Sequence, residues 1–147
     1  MNQKANNIPL VVPGIFSPPP YEKTPPTLLG GHCPACDQSY FPRPKYCRHC
    51  LGEVREADIG RTGSLYSYTV VRIKPPWGLP STYSVVYVDL NESNLRVFGL
   101  FDPLAIDQLQ IGLEVELCAK PLGQNSRGEL CLRPYFSPHT KKRGGGD

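Results

Sequence analysis

Cys33-Pro34-Ala35-Cys36, followed after ten residues by Cys47-Arg48-His49-Cys50, is the stretch that decides how the rest of the chain is read. Each C-x2-C pair makes a short turn whose two sulfurs face the same way, and two such turns close a tetrahedral four-thiolate site. Thiolates are soft ligands, so the site selects zinc or iron over magnesium or calcium. Zinc is the first expectation, and geometry alone leaves a rubredoxin-like iron centre open beside it. Pairing the same cysteines in disulfides would need a secreted chain, and no charged start, apolar stretch and small-residue cleavage site follow one another at the N-terminus. Cys118 and Cys131 lie far from the array in alternating apolar segments, where a free cysteine is a small packed hydrophobe rather than a ligand.

A chain of 147 residues with 39% hydrophobic content can bury one modest core. A ribbon of about twenty residues depends on its metal to fold, so one metal module plus one larger domain is the expected organisation. No apolar run reaches the roughly 20 residues that span a bilayer, and reduced cysteines fit the cytoplasm, where the chain is expected to reside. The formal charge of +3 overstates its basic character. Four thiolates around a dication lower it by two, to about +1. Between Arg55 and Ser137 eight Lys or Arg face nine Asp or Glu, while Lys141, Lys142 and Arg143 carry much of the excess. The main domain is therefore near neutral and lacks the basic footprint of a phosphate-tracking surface.

Residues 1–31 hold seven of the 17 prolines, including Pro18, Pro19 and Pro20, which forbids a continuous helix or strand. The segment also carries Ile8, Leu10, Val11, Val12, Ile15, Phe16 and Tyr21, more apolar surface than a solvated leader needs, and it reads as an extended strap that wraps a partner. Residues 32–52 form the ribbon, with Phe41, Pro42 and Tyr46 packing between the cysteine turns. Residues 53–138 form the main domain. Period-two alternation with β-branched and aromatic residues predicts strands over 64–73, 82–89, 95–101, 113–120 and 130–136. Asp102-Pro103 reads as the cap and first turn of a short helix over 104–109. Five strands with one short helix between the third and fourth are the layout of an OB-fold barrel. The fold class is mainly β: a rubredoxin-like zinc ribbon, then the barrel, then a disordered tail over 139–147.

The two cysteine turns, Phe41-Pro42-Arg43-Pro44 between them, Gly63-Ser64-Leu65-Tyr66-Ser67-Tyr68-Thr69, the segment 83–89, Val97-Phe98-Gly99-Leu100 and Ile111-Gly112-Leu113-Glu114-Val115 stand in one order. In that order they resemble the DUF35 family of zinc-ribbon, OB-fold, acyl-CoA-associated proteins over roughly residues 28–137. The resemblance implies a small partner of thiolase-like enzymes that sits beside a catalytic subunit, stabilises it and helps to bind or channel acyl-CoA or CoA. Two departures stand out: the proline-rich strap replaces a leading helix, and Asp37 follows the second cysteine where the family often has Gly.

A thiolase reaction needs a nucleophilic cysteine beside a base, and neither Cys118 nor Cys131 has one in a fixed sequence relation. His32, His49 and His139 read as structural or solvated, so no catalytic residue is expected in this chain. For CoA, Arg72, Lys74 and Trp77 combine cations for phosphate with an aromatic surface for adenine; the plainer alternative is that Trp77 packs its loop or a partner interface. The expected partner is a thiolase-like subunit, two copies of each chain by symmetry. Two rivals remain open: a nucleic-acid module stacking bases on Tyr66, Tyr68, Tyr83 and Tyr87, and an iron-based electron carrier.

Overall fold

The computed structural model describes residues 8–139, so residues 1–7 of the strap and 140–147 of the tail lie outside the described residues. Strands β1 (Leu28–Cys33), β2 (Gln38–Tyr40) and β3 (Arg55–Gly60) make the antiparallel ribbon sheet, in the order β2-β1-β3. Strands β4 (Thr62–Val71), β5 (Tyr83–Leu90), β6 (Arg96–Leu100), β7 (Glu114–Gln124) and β8 (Leu130–Pro138) make the second sheet, in the order β6-β5-β4-β7-β8. A parallel bridge from Phe101 to Phe136, continued by Asp102 N–H donating to Phe136 O at 2.8 Å, curls the sheet edge to edge into an OB-type barrel. The bulge at Tyr66 lets β4 turn from β7, which it pairs over 62–64, while keeping β5 along its whole length.

β1 is the element that sequence reading placed in the strap. Its Gly30-Gly31 pair looks like a strand breaker, yet a Cβ at Gly30 would collide with Tyr40 O and one at Gly31 with the Val54 side chain. Glycine is required because β2 and the chain before β3 press directly on the β1 backbone. The ribbon sheet therefore begins before residue 32 and, through β3, continues past residue 52.

The expected helix over 104–109 is a single 3-10 turn, Ile106–Gln108. Asp102 does cap the segment, its Oδ1 accepting from Leu104 N–H at 2.9 Å, but Ala105 N–H and Gln108 N–H bond three residues back rather than four. Six residues are too few to offset helix nucleation, and Asp102 is also tied to β8 through Ser137 Oγ–H at 2.9 Å. Among the described residues no helix is long and apolar enough to cross a membrane.

The strap does not wait for a partner. Phe16 is fully buried in the same core as Leu28 and Ile59 of the ribbon and Leu65, Val86, Val88, Val97, Leu117 and Phe136 of the barrel. Prolines interrupt it, but backbone hydrogen bonds tie it to both sheets. Val11 N–H donates to Leu132 O and Leu132 N–H to Pro9 O, at 2.9 and 2.8 Å, while Leu29 N–H donates to Ile15 O at 2.9 Å. The strap thus lies against β8 and β1 at once, and its apolar residues complete the core that the two sheets share. Phe16→Ala should lower unfolding free energy by about 3–5 kcal/mol in urea titrations. A loss below about 1 kcal/mol would show the strap to be dispensable.

Where the two sheets join, Glu92 reaches back and accepts from Thr62 Oγ1–H at 2.8 Å and Thr62 N–H at 3.2 Å. Burial opposes its charge, but hydrogen bonds from Thr62 and from the backbone of residues 92, 61 and 62 outweigh it and hold the carboxyl below its ordinary value. A depressed carboxylate stabilises the fold above the unfolded-state value near 4.5 and ceases to do so as pH falls through the folded value. Glu92→Gln should therefore lower the thermal midpoint at pH 7, and the gap to wild type should narrow as pH falls below the unfolded-state value of 4.5 and vanish once pH has passed through the folded value.

Candidate metal centre

The β1–β2 hairpin carries the first cysteine turn and the connection from β2 to β3 carries the second, and they are built alike. Asp37 N–H donates to Cys33 O at 2.7 Å and Leu51 N–H to Cys47 O at 2.8 Å. Asp37 and Leu51, each directly after the second cysteine of its turn, sit in the left-handed region at φ 55° and 63°. That position favours glycine; aspartate tolerates it better than most side chains, which accounts for Asp37 at the first turn, whereas Leu51 is strained.

All four sulfurs lie within 4.8 Å of one another, and Cys33 Sγ and Cys50 Sγ are 3.6 Å apart. Sulfurs around a tetrahedral zinc at 2.3 Å stand ~3.8 Å apart, so the cluster fits a single ion. Backbone N–H groups face the sulfurs as well: His49 N–H lies 3.4 Å from Cys47 Sγ and Gly52 N–H 3.3 Å from Cys50 Sγ. Tyr40 hydroxyl is 3.3 Å from Cys47 Sγ and accepts from Arg48 N–H. The Tyr40 hydrogen bond, then the backbone N–H groups of Cys50 and His49, bring the Cys47 thiol down to about 6 against the opposing effect of burial. The hydrogen bond with Cys50, then burial and the neighbouring Cys47, push Cys36 up to about 12. One thiolate is thus formed readily while the next is resisted by charge already present, and a dication among the four relieves that repulsion. Cys33 and Cys47 are buried and Cys50 is exposed, so the ion would sit at the ribbon surface behind a thin cover.

The histidines stand outside this cluster. His32 Nε2 pairs with Asp37 Oδ1 at 2.9 Å, and His139 Nε2 lies 4.0 Å from Glu116. Cys131 is buried against the backbone carbonyls of Leu122 and Gly123, and burial raises the Cys118 thiol. Arg72, Lys74 and Trp77 share the loop between β4 and β5, and all three are exposed. The cleft beside Trp77 also holds a cation from elsewhere in the chain, Arg133 of β8.

The outer barrel face holds what sequence reading only half found. Tyr66, Tyr68 and Tyr87 are exposed and Tyr83 is half-buried. Phe98, of the Val97-Phe98-Gly99-Leu100 motif but not among the predicted binding aromatics, stands 55% exposed on β6, its ring 5.1 Å from Tyr87 across the strand pair. Arg96 lies 3.4 Å over the Tyr66 ring and donates from Nε to Asp89 Oδ1 at 2.6 Å. The signal for Phe98 was its alternation with Val97, a buried residue, along a strand that faces water on one side.

Metal analysis should return one zinc per chain. Removing zinc with a strong chelator should abolish hydrogen-exchange protection in β1–β3 while β4–β8 keep theirs; unchanged protection in the ribbon would rule out a structural metal. Tyr40→Phe should weaken zinc binding by roughly ten- to a hundredfold in competition with a chelator.

Two family models meet end to end on this architecture: the rubredoxin-like zinc ribbon domain of ChsH2 on residues 23–55 and the C-terminal OB-fold domain of ChsH2 on residues 56–120. A DUF35 domain-containing scaffold protein of Methanocaldococcus jannaschii is 28% identical over 115 residues, spanning 76% of this chain and 81% of that protein. A chain of the solved Ltp2-ChsH2(DUF35) aldolase superposes with a TM-score of 0.62 at 27% identity, over 76% of this chain and 84% of that one. Four converging thiols on a ribbon that shares its core with a closed five-stranded barrel, matched in sequence along both parts, place this chain in the DUF35 family.

Proposed function

We propose that this chain is a non-catalytic, zinc-binding accessory subunit of a thiolase-type acyl-CoA acyltransferase complex, which stabilises the catalytic subunit and contributes to its acyl-CoA or CoA site. The observation that carries this reading is the outer face of β4–β6, where Tyr66, Tyr87 and Phe98 are each about half exposed. Half-exposed aromatics on a rigid sheet are what a protein partner buries as anchors. Arg96, the cation on this face, is committed to Asp89, which favours an uncharged protein surface over a phosphate backbone. Among its relatives, one is described as a scaffold protein and another forms part of an aldolase with a second protein. Within the family, the length and proline-rich start resemble the small subunit of benzoylsuccinyl-CoA thiolase.

In this reading the partner supplies nucleophile, base and oxyanion donors, and the complex contains two copies of each chain. The loop of Arg72, Lys74 and Trp77 is this chain's contribution toward CoA. Native mass spectrometry of the protein purified from its own host should find it with a thiolase-like chain, two of each. Phe98→Asp should keep zinc content and melting temperature but deplete that complex, because the ring is exposed in the free chain. A lone zinc-bound monomer, or thiolase turnover by the isolated chain, would overturn the proposal.

A further inference from the structure

The loop between β4 and β5 is built around an unusual turn. Leu79 N–H donates to Pro76 O at 3.1 Å, closing a four-residue turn whose central residues, Trp77 and Gly78, both lie in the left-handed region at φ 59° and 68°. Such a turn favours Asn-Gly, because a side chain at φ above zero crowds its own backbone. A tryptophan there is strained, and the strain is enforced from outside: Gln124 N–H donates to Trp77 O at 2.7 Å, and a Cβ at Gly123 would come within 2.8 Å of that oxygen. The indole is nevertheless 53% exposed. Folding alone would place a smaller residue here, so the backbone holds the ring outward for another purpose.

Beside the ring lies a cleft of about 270 Å³, walled by Val11 and Val12 of the strap and by Gln124, Ser126 and Arg133 of the β7–β8 hairpin. Arg133 is fixed at its floor, donating from Nε to Leu122 O at 3.0 Å and from Nη2 to Gln124 O at 2.6 Å, which leaves Nη1 without a partner among the described residues. Across the hairpin tip a second cleft of about 370 Å³ is lined by Leu10, Pro13, Ser126 and Arg127, with Glu129 on the same wall. Glu129 is engaged by Asn125 Nδ2–H at 3.1 Å, whereas the Arg127 guanidinium has no partner among the described residues. The strap thus completes an aromatic and aliphatic slot that holds Arg133 beside the ring and, through the shared wall of Val11, Asn125 and Ser126, adjoins the cleft of Arg127.

We propose that this slot binds the purine nucleotide end of coenzyme A, with the base against the Trp77 ring and the phosphates toward Arg133 and Arg127. A flat base matches an exposed indole and aliphatic walls, and guanidinium groups match phosphate geometry. The choice of coenzyme A among purine nucleotides rests on the acyl-CoA reading above; the slot itself does not.

Trp77 is the chain's one tryptophan, so its fluorescence reports on the slot directly. The zinc-loaded full chain should show quenching by adenosine 3′,5′-bisphosphate and by coenzyme A but not by pantetheine. In calorimetry, Arg127→Gln should weaken both by about tenfold, the size expected for one charge-assisted hydrogen bond. Trp77→Asn, which gives the turn the Asn-Gly pair it favours, should abolish binding while leaving the melting temperature equal or higher. Absence of quenching at millimolar ligand would overturn the inference, as would a Trp77→Asn variant that melts lower and binds as before. Equal binding of oligoadenylate, falling steeply with salt, would overturn it in favour of nucleic acid. Assembly with the catalytic partner, measured separately by mass spectrometry, reports on the accessory-subunit reading whether or not the slot binds.

Discussion

The ribbon cannot hold itself together without help. Its own buried cluster is Cys33, Tyr40, Cys47 and Val54, with Cys36 packed beside them, so half of its apolar interior is the sulfurs that bind the metal. Four thiols this close resist joint ionisation, and an ion among them turns that repulsion into the main attraction between the two turns. Once the turns are joined, β1 and β3 present Leu28 and Ile59 to the barrel, and everything that depends on a rigid ribbon follows from that.

The second source of rigidity is the sharing of a single core. Arg61, between β3 and β4, donates to Pro26 O of the strap at 2.9 Å and to Leu117 O of β7 at 2.8 Å, tying strap, ribbon and barrel at one guanidinium. Phe16 does the same by packing. A protein whose modules interlock in this way cannot present its surfaces independently. It offers a partner one preformed body, and preformed surfaces lose less freedom on association than jointed ones.

Two surfaces on that body are more apolar than stability requires. The face of Tyr66, Tyr87 and Phe98 is broad and its charges are internally paired, which suits contact with protein. The Trp77 slot is narrow and carries the Arg133 guanidinium, which bonds to backbone carbonyls and has no carboxylate partner among the described residues, and this suits a small anionic ligand. They lie on different elements, so one chain can hold a partner and a ligand together. Leu51, 74% exposed in a left-handed turn beside the metal, is a third such residue, and nothing else in the structure explains it.

Much of this was legible in the order of residues. Cysteine spacing is a local property: two turns of fixed length aim four sulfurs at one point wherever the ribbon sits, and so the metal site could be read directly. Strand alternation is equally local, and all five barrel strands were visible to within a few residues. What the linear chain could not decide were matters of distance. Residues 28–31 read as part of the strap because nothing local shows Tyr40 and Val54 pressing on Gly30 and Gly31, and the strap reads as wrapping a partner because β8 and β1, which bond it, lie far along the chain. The helix shrank to one turn because β8 holds Asp102. Arg72 and Lys74 are neighbours of Trp77 in sequence, yet its slot takes Arg133 from the far end of the chain, because register between β7 and β8, not proximity along the backbone, sets which charge stands beside which ring.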